Sequence, residues 1–132
     1  MAFLFMQAKI VKASSGRSAV AAAAYQAAQK LKDDSLGMTF QYRNKEEVVF
    51  SEILLPSHAP AAYADRETLW NAVQEKENRA NSQVARAFII AMPKEWTREE
   101  SISRAREFIQ KNLVDAGMVA DWAFHMKDGN PH

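Results

Sequence analysis

The dipeptide Asp128-Gly129 is the feature that most constrains the fold of this chain. It lies between a strand-like run that reaches His125 and a short extended segment that includes His132. Asp-Gly favours a two-residue type I′ hairpin turn, because both central residues of that turn need a positive φ. Counting back from the turn sets His125 opposite His132. The sequence therefore predicts an antiparallel ladder at this point and, with it, an antiparallel sheet.

This register brings two imidazoles together. Directly opposed side chains lie on one face of a ladder with Cβ atoms about 4.5–5.5 Å apart. His125 and His132 are then close enough to bind one metal ion. Two ligands make a weak site, so we expect a third beyond residue 132 or elsewhere in the fold. Histidine pairs more often have a structural or surface role, and the spacing alone leaves both interpretations open.

Length and composition limit the class of protein. A chain of 132 residues with 48% hydrophobic and 25% charged side chains is typical of one globular domain. No apolar run approaches the roughly 20 residues that span a bilayer, and the first residues lack the basic segment of a signal peptide. The chain contains no cysteine and therefore no disulfide framework. We expect a cytoplasmic protein without membrane insertion.

The net charge of +1 conceals an asymmetry along the chain. Residues 1–45 carry seven basic and two acidic side chains, whereas the remainder carries ten basic and fourteen acidic ones. A basic N-terminal third can follow a phosphate backbone, because phosphate contacts dominate nucleic-acid affinity. The simpler interpretation is a solvated surface of mixed charge, and composition alone favours it.

Periodicity and turn signals predict the secondary structure. We expect strands at residues 2–11, 50–55, 84–92 and 118–125, helices at 18–32, 66–79 and 97–117, and a hairpin or two extended segments over 38–55. The pattern predicts an α+β fold, with a mostly antiparallel central sheet and helices packed against it. We assign residues 1–132 to a single domain whose final strand is incomplete.

Tyr25 is the second candidate for chemistry. It lies among alanines within the first predicted helix and is the bulky polar group in a run of small side chains. One interpretation is an amphipathic tyrosine with its ring in the core and its hydroxyl at the rim. The other is a nucleophile, because small flanking residues allow a substrate backbone to approach closely. Residue chemistry alone favours the first interpretation.

Several segments resemble the MobA/MobL-type conjugative relaxases of the HUH endonuclease superfamily. The similarity covers essentially the whole chain in matched order, with blocks at residues 5–9, 14–19 leading into 24–25, 51–56, 65–71, 77–86 and 117–121. The ending Asn130-Pro131-His132 resembles the opening of the His-hydrophobic-His motif of that superfamily. The agreement of six blocks is far more specific than any single motif.

The resemblance implies a site- and strand-specific transesterase that nicks a plasmid origin of transfer. Tyr25 would attack the scissile phosphate and leave a 5′-phosphotyrosyl link. His125 and His132 would hold a divalent cation together with a third histidine, expected two positions further along. We expect Mg²⁺ or Mn²⁺ in the cell, whereas such a site can bind Zn²⁺ or Ni²⁺ more tightly in vitro. The chain would then be the N-terminal part of a relaxase domain, cut inside the motif.

The resemblance also implies partners. The substrate would be single-stranded or hairpin DNA at the origin of transfer, and relaxosome accessory proteins and a coupling protein would assemble with it. Because the cut strand must be unpaired, we expect a basic cleft with aromatic stacking. From charge and position we assign three arginines to that cleft: Arg17, Arg79 and Arg86.

One departure from the family pattern keeps a second function open. The segment after Arg86 commonly carries an acidic residue in this family, but Ala87 and Ile89 follow here. That change, with the incomplete histidine set, favours a non-catalytic module that binds single-stranded DNA or the origin hairpin. A rolling-circle replication initiator and a metal hydrolase of small molecules are weaker alternatives.

Overall fold

Antiparallel strand pairs and helices alternate along the chain. The structure is a computed structural model, and it describes residues 6–12, 18–42, 47–76, 83–127 and 129–132. The strands are β1 (Met6–Lys12), β2 (Lys30–Asp33), β3 (Met38–Gln41), β4 (Val48–Leu54), β5 (Gln83–Ile90), β6 (Ala120–Lys127) and β7 (Asn130–Pro131). The helices are α1 (Ala19–Ala27), α2 (Arg66–Lys76) and α3 (Arg98–Ile109), the last continued by a π-helical turn at Gln110–Val114.

The strands pair in an antiparallel manner throughout the described part. β1 pairs with β5, β2 with β3, and β6 lies between β4 and β7. The Met92 amide, just after β5, donates a hydrogen bond of 3.0 Å to the carbonyl oxygen of Pro131 in β7. This bond brings the end of the β1–β5 pair beside the β4–β6–β7 sheet. The predicted α+β class with antiparallel strands is confirmed.

Helices lie on both faces of the β4–β6–β7 sheet. Trp122 and Phe124 of β6 are buried together with Ala105 of α3. Asp121 and His125 have the opposite parity along β6, and they contact α2 and α1. Since side chains alternate between faces along a strand, α1 and α2 cover one face and α3 the other. The face under α1 and α2 is the one that carries the histidine.

Helix α1 is shorter than its alanine content predicts. The sequence pattern favours a helix over residues 18–32, but α1 ends at Ala27 and residues 30–33 form β2. Ala28 adopts a left-handed conformation (φ 54°), and its amide donates to the carbonyls of Ala24 and Tyr25. The chain reverses there so that Leu31 joins the core formed by Val20 and Ala24. Tertiary burial has overridden helix propensity.

The beginning of α1 is fixed by a buried polar network. The Ser18 hydroxyl accepts from the Ala21 amide as a helix cap, and it also donates to the carboxylate of Asp33. The side-chain oxygen of Gln74, from α2, accepts from the Ala19 amide at 2.6 Å. Burial of Asp33 acts to raise its pKa, but hydrogen bonds from Ser18, Ser35 and Gln74 and from the Leu36 amide together lower that pKa. The network joins α1, α2 and β2 into one unit.

Two further sequence expectations are met. Thr97 and Glu100 form the predicted capping box at the beginning of α3. The extended segments predicted within residues 38–55 are β3 and β4, although they pair with β2 and β6 rather than with each other.

Across the residues that the structure describes, every helix is too short or too polar to cross a lipid bilayer.

Candidate active site

The two histidines of the terminal hairpin lie side by side. The His125 amide donates to the His132 carbonyl at 2.6 Å, and the His132 amide donates back at 2.9 Å. Their rings are stacked, with centroids 5.2 Å apart and an angle of 16° between the planes. Met126 pairs with Pro131, as the turn signal predicts, and Gly129 has a φ of 77°. The predicted register is therefore confirmed, and both imidazoles leave the same face of the ladder.

The ring of His125 contacts the last turn of α1. Its Nε2 atom lies 2.8 Å from the carbonyl oxygen of Gln26. A carbonyl oxygen only accepts, so in this hydrogen bond Nε2 carries the proton. Nδ1 is then the nitrogen that carries the lone pair in the neutral ring. A metal-ligating histidine commonly donates its other N–H to a carbonyl or carboxylate in this way.

Tyr25 lies on the side of α1 that faces away from the core. The residue is 55% exposed, whereas its neighbours Ala24 and Ala27 are buried. Its ring makes an edge-to-face contact with the ring of Tyr42, with centroids 5.4 Å apart. The interpretation that placed the Tyr25 ring in the core is therefore wrong. More than half of the Tyr25 residue is exposed to solvent, and Tyr25 directly precedes Gln26, the residue that contacts His125.

A buried ion pair holds α2 against the same strand. The guanidinium of Arg66 contacts both carboxylate oxygens of Asp121 at 2.8 to 2.9 Å, and the Trp70 indole N–H donates to the same carboxylate at 2.8 Å. The two charged side chains are 7% and 4% exposed. The backbone carbonyl of Asp121 accepts from the side-chain amide of Gln26 at 3.2 Å. Asp121 thus supports the histidine strand from four residues away.

Sequence reasoning missed three of these residues. Arg66 and Trp70 are four apart on α2, and helical spacing alone places them on one face of that helix. That signal was available, but it does not identify Asp121 as their partner. No local pattern marks Gln26, whose contacts with β6 cross about a hundred positions of sequence.

Of the three arginines assigned to a DNA cleft, the structure describes one. Arg86 lies on β5 with an exposed side chain, in register with Ile10 of β1. Arg17 and Arg79 lie outside the described residues. Their DNA-binding role stays a prediction. Ala87 and Ile89 occupy β5 as well, and Ile89 is 51% exposed.

The residues present fit a divalent cation in part. Two imidazoles stand side by side, and one of them has its second nitrogen engaged by a carbonyl. Within the described ranges, no group of three His, Cys, Asp or Glu side chains is arranged to hold a metal ion. His125 and His132 thus supply two ligands of a centre that needs more, and metal binding stays a prediction.

Comparison with a solved structure gives the same arrangement of elements. A chain from a study of the molecular basis of vancomycin resistance transfer in Staphylococcus aureus superimposes with a TM-score of 0.90 and 40% sequence identity. The match covers 97% of this chain and 66% of that one. A likeness at this level of identity extends to the fold as a whole.

Named relatives lie among proteins of conjugal transfer and plasmid mobilisation. The chain is 39% identical to the conjugal transfer protein TraA of Agrobacterium fabrum and 33% identical to a probable mobilization protein MobA of Bifidobacterium longum. Both alignments cover the whole chain, but only 13% and 24% of those proteins. Residues 17–132 match the MobA/MobL family. The chain belongs to the MobA/MobL family.

Proposed function

We propose that this protein is a strand-specific DNA-nicking transesterase acting at a plasmid origin of transfer, with Tyr25 as nucleophile. The observation that carries the proposal is the connection between the exposed tyrosine and the histidine pair. Tyr25 lies one residue before Gln26, whose carbonyl oxygen contacts His125, and His125 is stacked on His132. Family membership supports the same reaction class, since relatives are named for conjugal transfer and mobilisation.

The reaction exchanges one phosphodiester for another. The Tyr25 oxygen attacks the scissile phosphorus, and a bond forms between them as the bond to the 3′ oxygen breaks. The segment on the 3′ side of the nick becomes joined to the tyrosine through its 5′ phosphate. The segment on the 5′ side leaves with a free 3′ hydroxyl, whose oxygen takes up a proton equivalent to the one that the phenol loses. No water is consumed, so the strand can be rejoined by the reverse step.

The chain's own residues provide position and exposure. The T-shaped contact with Tyr42 limits the orientations of the Tyr25 ring while leaving more than half of that residue exposed. His125 and His132 would hold a divalent cation, and the chemistry of phosphate transfer favours Mg²⁺ or Mn²⁺. The cation would neutralise charge on the non-bridging oxygens of the phosphate. Orientation of the nucleophile supplies much of the rate in reactions of this type.

The substrate proposed is single-stranded or hairpin DNA. A phosphodiester must reach the tyrosine from the open side of α1, which an unpaired strand can do without distortion of a duplex. Arg86, exposed on β5, is proposed to contact its backbone together with Arg17 and Arg79. Relaxosome accessory proteins and a coupling protein are the partners proposed for the whole protein.

The test uses the full natural protein and single-stranded oligonucleotides from the origin of its own plasmid. With Mn²⁺ present, we expect a covalent protein–DNA adduct that maps to Tyr25 by peptide mass spectrometry and disappears in Tyr25→Phe. Tyr42→Phe is the matched control, because it deletes the same phenol oxygen from the neighbouring ring and should keep the adduct. An adduct that persists in Tyr25→Phe would exclude this nucleophile.

A binding module without catalysis is the second candidate. The apolar residues Ala87 and Ile89 and the two-histidine set in the described residues favour it. Binding of the origin oligonucleotide by the wild-type protein, with no adduct at any metal concentration, would establish this function instead.

A further inference from the structure

We propose that Gln26 is a positioning residue of this active site, holding the turn that carries Tyr25 against strand β6 and fixing the ring of His125. The inference rests on the proposed function of Tyr25 and His125 and adds a residue to it. Gln26 makes two contacts with one strand. Its carbonyl oxygen meets His125 Nε2 at 2.8 Å, and its side-chain amide donates to the Asp121 carbonyl at 3.2 Å.

The carbonyl of Gln26 is available because of how α1 ends. The last carbonyls of a helix have no partner within it. In this helix the left-handed Ala28 and the following Gln29 direct their amides to the carbonyls of Ala24 and Tyr25. The next carbonyl, that of Gln26, is the one that the histidine ring contacts. A helix continuing to residue 32, as alanine content predicts, would have used that oxygen for its own hydrogen bonding.

The strand side of the contact is equally well fixed. The Asp121 side chain is held by Arg66 and Trp70 of α2, so its backbone carbonyl lies on a segment with little freedom. His125 lies four residues further along the same strand. Gln26 thus spans the distance between two points on β6, and the preceding residue is the proposed nucleophile. Any shift of α1 along the sheet must break one of these bonds.

The consequence for His125 is a defined tautomer. With Nε2–H donated to a carbonyl, the lone pair of the neutral ring is on Nδ1. Contacts of this kind fix the ring orientation of a ligating histidine. Their loss typically lowers metal affinity or activity by about 10–100-fold. The side chain of Gln26 acts on this bond indirectly, by keeping its own carbonyl in place.

The experiment compares Gln26→Leu, which keeps bulk, and Gln26→Glu, which keeps shape but removes the amide donor. In the full natural protein we expect the single-turnover rate constant for adduct formation to fall about tenfold or more in both variants. The oligonucleotide concentration that gives half the maximal rate should change less than about threefold. Gln41→Leu is the control, because it replaces an exposed glutamine of β3, a strand that pairs with β2, and it should change neither parameter. If the Leu variant fails to fold, the isosteric Glu variant carries the test.

A second readout needs neither metal nor DNA. Long-range ¹H–¹⁵N correlation spectra of the metal-free 132-residue chain should show His125 as the Nε2–H tautomer, and Gln26→Glu should increase the Nδ1–H population or speed exchange of the Nε2 proton. Wild-type His125 in the Nδ1–H form would overturn the proposal, as would unchanged spectra together with an unchanged rate constant for adduct formation in both variants. Failure of the proposed function would appear separately, either as absence of the adduct in the wild-type protein or as an adduct that persists in Tyr25→Phe.

Discussion

Arg66 and Asp121 form a bidentate ion pair with contacts of 2.8 to 2.9 Å. The pair is almost completely buried, since the two side chains are 7% and 4% exposed. The pair joins α2 to β6, and Trp70 completes the hydrogen bonding of the carboxylate. Buried ion pairs are weak evidence for net stability, but removing one partner leaves an uncompensated charge. The pair therefore sets the position of α2 on β6, and breaking it should cost much of the stability of the folded protein.

Breaking this pair should be strongly destabilising. We expect Arg66→Met to lower the free energy of unfolding by about 3–5 kcal/mol, since it leaves the Asp121 carboxylate buried without its cation. The double variant Arg66→Met/Asp121→Asn should be less destabilised than the sum of its parts. Urea denaturation followed by circular dichroism measures both. Glu107→Gln, in an exposed ion pair with Lys111, is the control and should leave the midpoint nearly unchanged. Strict additivity in the double-variant cycle would contradict the proposed coupling.

Stability should fall in acid through Asp33. The pKa of this carboxyl is lowered in the folded protein, since its hydrogen bonds outweigh burial. A lowered folded-state pKa means that the stabilisation is present above the unfolded value of about 3.9 and is lost as pH falls through the folded pKa. Asp33→Asn should therefore flatten the decline of stability below about pH 4, measured as urea midpoints from pH 7 to pH 2.5. Asp34→Asn, at the exposed neighbouring position, should retain the wild-type slope; equal slopes in all three proteins would refute this origin of acid sensitivity.

The histidine pair should account for metal binding. We expect His125→Ala and His132→Ala each to weaken Zn²⁺ binding to the chain by about tenfold or more, as loss of a ligand costs at least as much as loss of its support. Competition with a chromophoric chelator measures the affinity. The third histidine of the sequence, His58, lies in an exposed loop and provides the matched variant His58→Ala, which should bind as the wild type does. Equal Zn²⁺ affinities in all three variants would contradict the proposal that His125 and His132 bind the metal.

Relief of the left-handed residue should stabilise the protein. Ala28 has a φ of 54°, a region that costs a residue with a Cβ about 1–2 kcal/mol and glycine little. Ala28→Gly should raise the free energy of unfolding by about 0.5–1 kcal/mol. This net value allows for the larger conformational entropy that glycine loses on folding. Ala27→Gly, one residue earlier and still helical, should have the opposite sign. Denaturant midpoints distinguish the two, and a loss of stability in Ala28→Gly would show that the turn is not strained.

The residues that sequence located correctly are those whose neighbours are close in the chain. The turn chemistry of Asp128-Gly129 sets the register of the ladder beside it, and that register alone brings His125 to His132. The capping box at the beginning of α3 likewise lies within four consecutive residues, from Thr97 to Glu100. In both cases the stabilising hydrogen bonds are made within the segment that carries the signal.

The end of α1 shows where such reasoning fails. Alanine propensity extends the helix to residue 32, yet Leu31 and Asp33 are buried in contacts with α1 and its cap. Those contacts exist only after the chain has reversed at Ala28. The strand that results, β2, was predicted as helix for that reason.

By itself the sequence determined the antiparallel hairpin, the histidine pair, the alanine-rich helix that carries Tyr25 and, through its matched segments, the family. Only the tertiary structure decided which face of α1 is open, how Gln26 meets His125, and that Arg66 neutralises Asp121. These last contacts join positions from 55 to 99 residues apart. Local propensity carries no information about them, because their free energy arises from burial and hydrogen bonding between elements that must first be assembled.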